Sequence, residues 1–238
     1  MGTGCGLYPT PLARSEWTPA ALAPHAWYRA DMGISLVGAR IAAWADQSGN
    51  GHHLLQTTDA LRPVQALASR GDLSWPAVDT AGGCHLQTTL TLPRELSIVL
   101  ALGTVSSTGY GLSHTYGATE TTYLYTGGPA TMFVREISAS FYHRTTATQP
   151  ALVSNSNTIA TYDGSAISVR RSGVDVSMSS PSGSPIVNGD VPGTLRVCAG
   201  AGGAGGASLR VIELILSPPL SGSQLAALEA YFARLGRP

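Results

Sequence analysis

The chain contains no lysine; its 14 basic residues are all arginine, a bias most simply traced to a GC-rich coding genome. Charge of either sign is scarce, 12% of residues against about 25% in an ordinary domain, and the formal net charge is zero. Without a basic field there is nothing to recruit nucleic acid, which drops out as a partner. No apolar run approaches the roughly 20 residues of a transmembrane helix, so membrane insertion is not expected. The opening MGTGCGLYPTPLARSEW lacks the basic-then-apolar order of a secretory signal, so synthesis in the cytoplasm is the expectation. Cysteine is sparse too, and Cys5, Cys84 and Cys198 are an odd number at no metal-like spacing. Free thiols are expected, with a Cys84–Cys198 pair as the alternative, since both lie in or beside strand-like segments.

What is abundant is Gly, Ser and Thr around short apolar stretches, the composition of many strands joined by polar turns. Residues 1–25 read as an irregular Pro- and Gly-rich arm, and 26–238 as one domain. Short strands are predicted over Ala26–Asp31, Arg40–Ala45 and Leu86–Leu92, with Pro63–Val78 as a loop. Leu96 to Leu102 is apolar at every position but one and too short for a buried helix, which marks a central core strand with both faces covered. ATYDGSAISVRRSGVDV, residues 160–176, alternates strand, Asp-Gly turn, strand, Ser-Gly turn and strand. At the end, Ser221 with Gln224 three residues on forms a capping box, and Leu220 with Leu225 a hydrophobic staple. Leu225, Leu228, Tyr231, Phe232 and Leu235 then share one helical face before Gly236 stops the helix.

Three stretches in order carry a family resemblance. WADQSGNGHHLLQ at 44–56, followed by Arg62-Pro63 and WPAVDTAGG at 75–83, is the first. YDGSAISVRRSGVDV at 162–176 and IELILSPPLSGSQLAALEAYF at 212–232 are the others. Together the chain resembles the concanavalin A-like lectin/glucanase superfamily in its laminin-G-like branch. The resemblance implies an all-β fold, a two-sheet antiparallel jelly-roll sandwich with one C-terminal α-helix. It implies little chemistry, because such folds host lectins, glycosidases, adhesion modules and virion proteins. At Thr80-Ala81, and again ahead of Arg210, the usual Asp-Gly is missing. Some members use carboxylates near such positions for calcium, so no metal or other cofactor is expected here.

The family's hydrolases carry a strand of the form E-x-D-x-x-E, which holds two carboxylates on one face about 5 Å apart. Nothing here matches it: Glu120, Glu136 and Glu213 are isolated and Asp163 belongs to a turn. His52-His53 beside Asp46 offers good zinc ligands, but adjacent residues on an extended chain point apart. Asp46 and Asn50 are expected instead to bond backbone amides of the loop. The glycine-rich AGAGGAGGAS precedes no Lys-Ser/Thr and no helix start, so it is not a phosphate loop. Aromatics concentrate between Tyr110 and His143. Tyr110, His114, Tyr116 and Tyr123 pair flat faces with polar tips suited to sugar rings, so they are the candidate glycan-binding residues, core packing being the alternative.

The expectation is a non-enzymatic module for surface recognition or assembly, a bacteriophage virion component such as a capsid decoration, head-fibre or tail-adhesion protein. Its expected partners are glycans, other virion proteins or copies of itself, and its expected location is the virion surface. The alternative is a bacterial extracellular carbohydrate-binding protein or glycoside-processing enzyme.

Overall fold

The computed structural model describes residues 16–70, 72–93, 95–107, 109–116, 120–125, 131–137, 140–145, 154–177, 190–199 and 206–236, with the backbone alone over 116–145. The expected arm falls outside the described residues as far as residue 15. Among the described residues the chain is all-β, its named strands paired antiparallel, and it is closed by a single C-terminal helix. The strands run β1 Ala26–Arg29, β2 Ile34–Val37, β3 Arg40–Trp44, β4 Leu54–Leu55, β5 Val64–Arg70 and β6 Leu73–Asp79. They continue as β7 Leu86–Leu92, β8 Leu96–Val105, β9 Tyr110–Tyr116, β10 Glu120–Tyr125, β11 Thr131–Ile137 and β12 Ser140–Thr145. After β13 Ser156–Tyr162, β14 Ile167–Arg171, β15 Val174–Asp175, β16 Val191–Val197 and β17 Leu209–Ser217 comes α1 Gly222–Arg234.

Pairing sorts the strands into two ladders. In one, β17 holds β1 and β6 in tandem along one edge and β8 along the other, and β8 leads to β13, β14 and β15. In the other, β3 joins β2 to β4, and β4 leads through β7, β16, β9, β10 and β11 to β12. The β5–β6 hairpin bridges them, because β5 also pairs with β3.

The apolar run of β8 acquires its reason here. Ile98, Leu100 and Leu102 join the main core with Leu86 and Leu90 of β7, Leu112 of β9 and Leu195 and Val197 of β16. Val99 and Ala101, facing the opposite way, join a second core with Ile212 and Ile215 of β17 and Leu228, Tyr231 and Phe232 of α1. Burying a side chain such as Leu or Phe contributes about 1.5–3 kcal/mol, so a strand covered on both faces is apolar throughout.

Helix α1 starts as its sequence dictates. Ser221 Oγ accepts from Gln224 N at 3.4 Å while the Gln224 side chain accepts from Ser221 N at 2.9 Å. Leu228, Tyr231 and Phe232 are buried, whereas Leu225 and Leu235 lie at the rim of the contact. One segment differs from expectation. Residues 64–79 form the β5–β6 hairpin rather than a loop, and Pro76 sits in β6 facing Leu67. The strand tolerates the missing N–H because β6 meets β17 only at Val78 and Asp79, so Pro76 has no second ladder to break. Cys84 and Cys198 are buried free thiols, not a disulfide. Burial pushes the Cys198 thiol up to about 12, which removes any reactive thiolate there.

Candidate functional site

The loop after β3 contains the most elaborate polar cluster among the described residues, and its bonds hold the loop itself. Asp46 Oδ1 accepts from Trp27 N and Ser48 N, and Oδ2 accepts from Ser48 Oγ and His52 N, all within 2.8–3.1 Å. His53 Nδ1 accepts from Asp46 N, so this imidazole is turned to the backbone. Gly49 and Gly51, at φ 91° and 78°, make the reversals that only glycine tolerates cheaply. Asn50 departs from its expected role: its amide donates to the carbonyls of Pro24 and His25 and so ties the loop to the segment that leads into β1. Behind the loop Trp44 is fully buried, donating to Arg29 O at 2.8 Å and packing on Tyr28. Arg62 of the Arg-Pro pair donates to Gln56 O, Thr57 O and Asp59 and fastens the next turn in the same way.

The second motif is equally occupied. Asp163 Oδ1 accepts from Ser165 N and Ala166 N, bonds that hold its carboxyl below the usual range, while the Tyr162 hydroxyl donates to Gly164 O. Other carboxylates are held in ion pairs. Asp79 meets Arg210, Asp59 meets Arg62, Asp31 meets Arg29, and Asp175 and Glu229 both hold Arg170. Glu213, isolated in sequence, is fully buried between β17 and α1, where Trp27 Nε1 and the Tyr231 hydroxyl donate to it.

The aromatic concentration maps onto four consecutive strands. Register sets Tyr123 across from Ser113 and Val134, Tyr116 across from Glu120, and Tyr125 across from Tyr110 with a bulge between. Val134 in turn faces His143, and Arg135 faces Tyr142. Tyr110, half-buried, and the backbones of Tyr116 and Tyr123 are therefore brought onto the adjacent strands β9 and β10. The side chains of Tyr116 and Tyr123 lie outside the described residues.

His114 does not belong with them. Two residues from buried Leu112, it points into the protein, 4% exposed, with Nε2 3.1 Å from Leu90 O. Gly193 on β16 makes room for it: a Cβ there would lie 2.8 Å from the His114 ring and 2.6 Å from Thr115 O. Alternation along β9 explains the burial, because 112 and 114 share a side.

No family model and no curated protein matches the chain. Among solved structures it is similar to an arabinofuranosidase complexed with arabinofuranosyl-α-1,2-xylobiose (TM-score 0.51, 15% identity), the match covering 80% of this chain and 50% of that one. It is also similar to a GH54 α-L-arabinofuranosidase variant soaked with 4-nitrophenyl α-L-arabinofuranoside (TM-score 0.52, 16% identity, again 80% and 50%). The chain spans about half the length of these structures, and the likeness is one of β-fold.

Proposed function

We propose that the chain is a non-catalytic carbohydrate-recognition module on a concanavalin A-like, laminin-G-like jelly roll. The observation that carries this reading is the register of β9 to β12, which gathers the chain's aromatic concentration into one continuous ladder. Tyr110 and Tyr123, set on one side by the bulge between β9 and β10, are the proposed contacts, with His114 withdrawn to the core and position 116 on the same side of β9 as His114. Fold likeness to arabinofuranosidases that hold arabinose-containing ligands supports a glycan as the partner. Engagement of Asp46, Asp79, Asp163 and Glu213 in structural bonds supports recognition without hydrolysis.

The proposed setting is the surface of a bacteriophage particle. Leu36 and Val37 of β2, with Leu67 and Leu73 of the β5–β6 hairpin, are exposed and supply apolar surface for a neighbouring virion protein or second copy. Genes for portal, capsid or tail proteins beside the coding sequence are the expected neighbourhood, and genes for secreted polysaccharide degradation would favour the extracellular alternative.

The direct test is a glycan array that includes arabinan and arabinoxylan, followed by titration of the Tyr110→Ala and Tyr123→Ala variants. Each substitution should weaken binding by about 1–3 kcal/mol at unchanged melting temperature, the scale of ring stacking on aromatic side chains. A blank array removes the lectin reading. Reducing sugar released from those polymers removes the non-catalytic one.

A further inference from the structure

A second site lies where the β5–β6 hairpin bridges the two ladders. Pairing aligns Arg40 of β3, Val64 of β5 and Asp79 of β6 in one row across the strands, and Arg210 of β17 extends it. Residues directly opposite in an antiparallel pair project to the same side, so these side chains stand on one face. Beside the row sit two 3₁₀ turns, Asp59–Leu61 and Ala81–Gly83, joined by His85 N donating to Leu61 O at 3.0 Å, with the Cys84 thiol 3.9 Å from Ala60 O. Arg40, Ala60, Val64, Asp79, Ala81 and Cys84 line an open surface pocket of about 390 Å³. That is the small end of the ~300–1,000 Å³ range of ligand sites, the size for a single ring.

Its chemistry is divided by position. Val64, Ala60, Ala81 and Cys84 make an apolar floor and wall, while Arg40 and Asp79 stand two strand spacings apart, about 10 Å. Asp79 already accepts from Arg210 Nε at 3.1 Å and from Ala81 N at 3.0 Å, which fixes both oxygens while leaving each a further lone pair. Arg40 is anchored through Nη1 alone, donating to Arg62 O at 3.1 Å. Its Nε–H and Nη2–H edge has no partner among the described residues. That edge is the fork that grips a carboxylate with two parallel bonds, as Arg29 grips Asp31 in this same chain at 3.0 and 2.6 Å. With Asp79 neutralised by Arg210, the pocket carries one uncompensated positive charge.

We propose that this pocket binds a sugar acid: one pyranose ring bearing a carboxylate, of the hexuronate type. The carboxylate takes the Nε/Nη2 edge of Arg40, ring hydroxyls donate to Asp79, and the apolar face of the ring lies on Val64. The inference rests on the recognition reading only in taking carbohydrate as the ligand class. It shares no residue with the β9–β12 ladder.

The test titrates the full chain with D-glucuronate and D-galacturonate, against D-glucose, D-galactose and acetate at constant ionic strength, read by calorimetry and ligand-observed NMR. A uronate should bind at least ~10-fold more tightly than its neutral sugar and than acetate. Arg40→Gln should weaken it by ~10- to 100-fold, the value of a two-bond charged contact. Ala60→Trp should occlude the pocket without removing any bond, and it keeps the test decisive if Arg40→Gln lowers stability. Bound uronate should also slow alkylation of Cys84, followed by peptide mass mapping. Equal affinity for acid and neutral sugars, acetate competing as well as uronate, or binding indifferent to Ala60→Trp would each overturn the proposal. A chain that binds neutral polysaccharide through Tyr123 yet ignores uronates loses this pocket alone. One that binds uronates through Arg40 yet no neutral glycan loses the aromatic ladder alone.

Discussion

Trp27 and Glu213, one strand apart in the β1–β17 pair, are joined by a 2.6 Å hydrogen bond from the indole Nε1 to the carboxylate Oε1. The same oxygen accepts from the Tyr231 hydroxyl of α1 at 3.0 Å, so a fully buried carboxylate pins the helix to the sheet. A buried charge is tolerated only when its hydrogen bonds are met, which makes these two donors a unit.

Tyr231→Phe should therefore destabilise the protein by about 1.5–3 kcal/mol, the value of a hydrogen bond to a charged group. Trp27→Phe should cost a similar amount, and the double variant should depart from additivity because both donors serve one carboxylate. Urea denaturation of the three variants reads the coupling. Strict additivity would show the two contacts to be independent.

Trp44→Ala should cost about 3–5 kcal/mol, since the ring is fully buried against Tyr28 behind the Asp46 loop. Asp46→Ala, which strips four acceptor contacts from the loop, should lower the melting temperature even though the loop is partly solvated. A melting curve unchanged by either substitution would refute the structural role of the loop.

Stability should fall as pH drops below about 6.5. His85 is buried, with Gln56 Nε2 3.2 Å from its Nε2 and Gly83 O 3.4 Å from its Nδ1, an arrangement that suits the neutral ring. Burial lowers its pKa, the Gly83 carbonyl opposes this and Arg196 adds to it; burial also lowers that of His25. A group depressed in the folded state binds protons more readily unfolded, so the loss begins near the unfolded value of about 6.5 and levels off below the folded one. Melting temperatures between pH 8 and pH 5 should show this slope, and His85→Gln should flatten it. The same slope in that variant would assign the effect elsewhere.

Gly193→Ala should be disruptive, because the added methyl meets Thr115 O and the His114 ring at under 3 Å. Overpacking of this kind costs about 1–3 kcal/mol. Pairing the substitution with His114→Ala should relieve the ring contact and recover part of the loss, as read by thermal denaturation.

The elements legible in the sequence are those whose chemistry is local. The Ser221–Gln224 capping box, the Asp163 turn and the bonds of Asp46 to Ser48 and His52 all close within six residues, so residue type and spacing sufficed, whereas the bonds of Asp46 to Trp27 and of Asn50 to Pro24 and His25 needed the tertiary fold. The double-sided burial of β8 was likewise readable from its unbroken apolar run. His114 was not, since a histidine looks the same in sequence whether it faces solvent or a gap left by Gly193 some 80 residues on.

By itself, then, the sequence determined an all-β chain with a docked terminal helix, because strand alternation, turn residues and caps act over a few positions. The tertiary structure alone decided that 64–79 is a hairpin, that Glu213 is a helix anchor, and that Arg40, Val64 and Asp79 share one row. Those outcomes depend on which strands pair and in what register. Register is set by the summed burial of both ladders, a property no single segment carries.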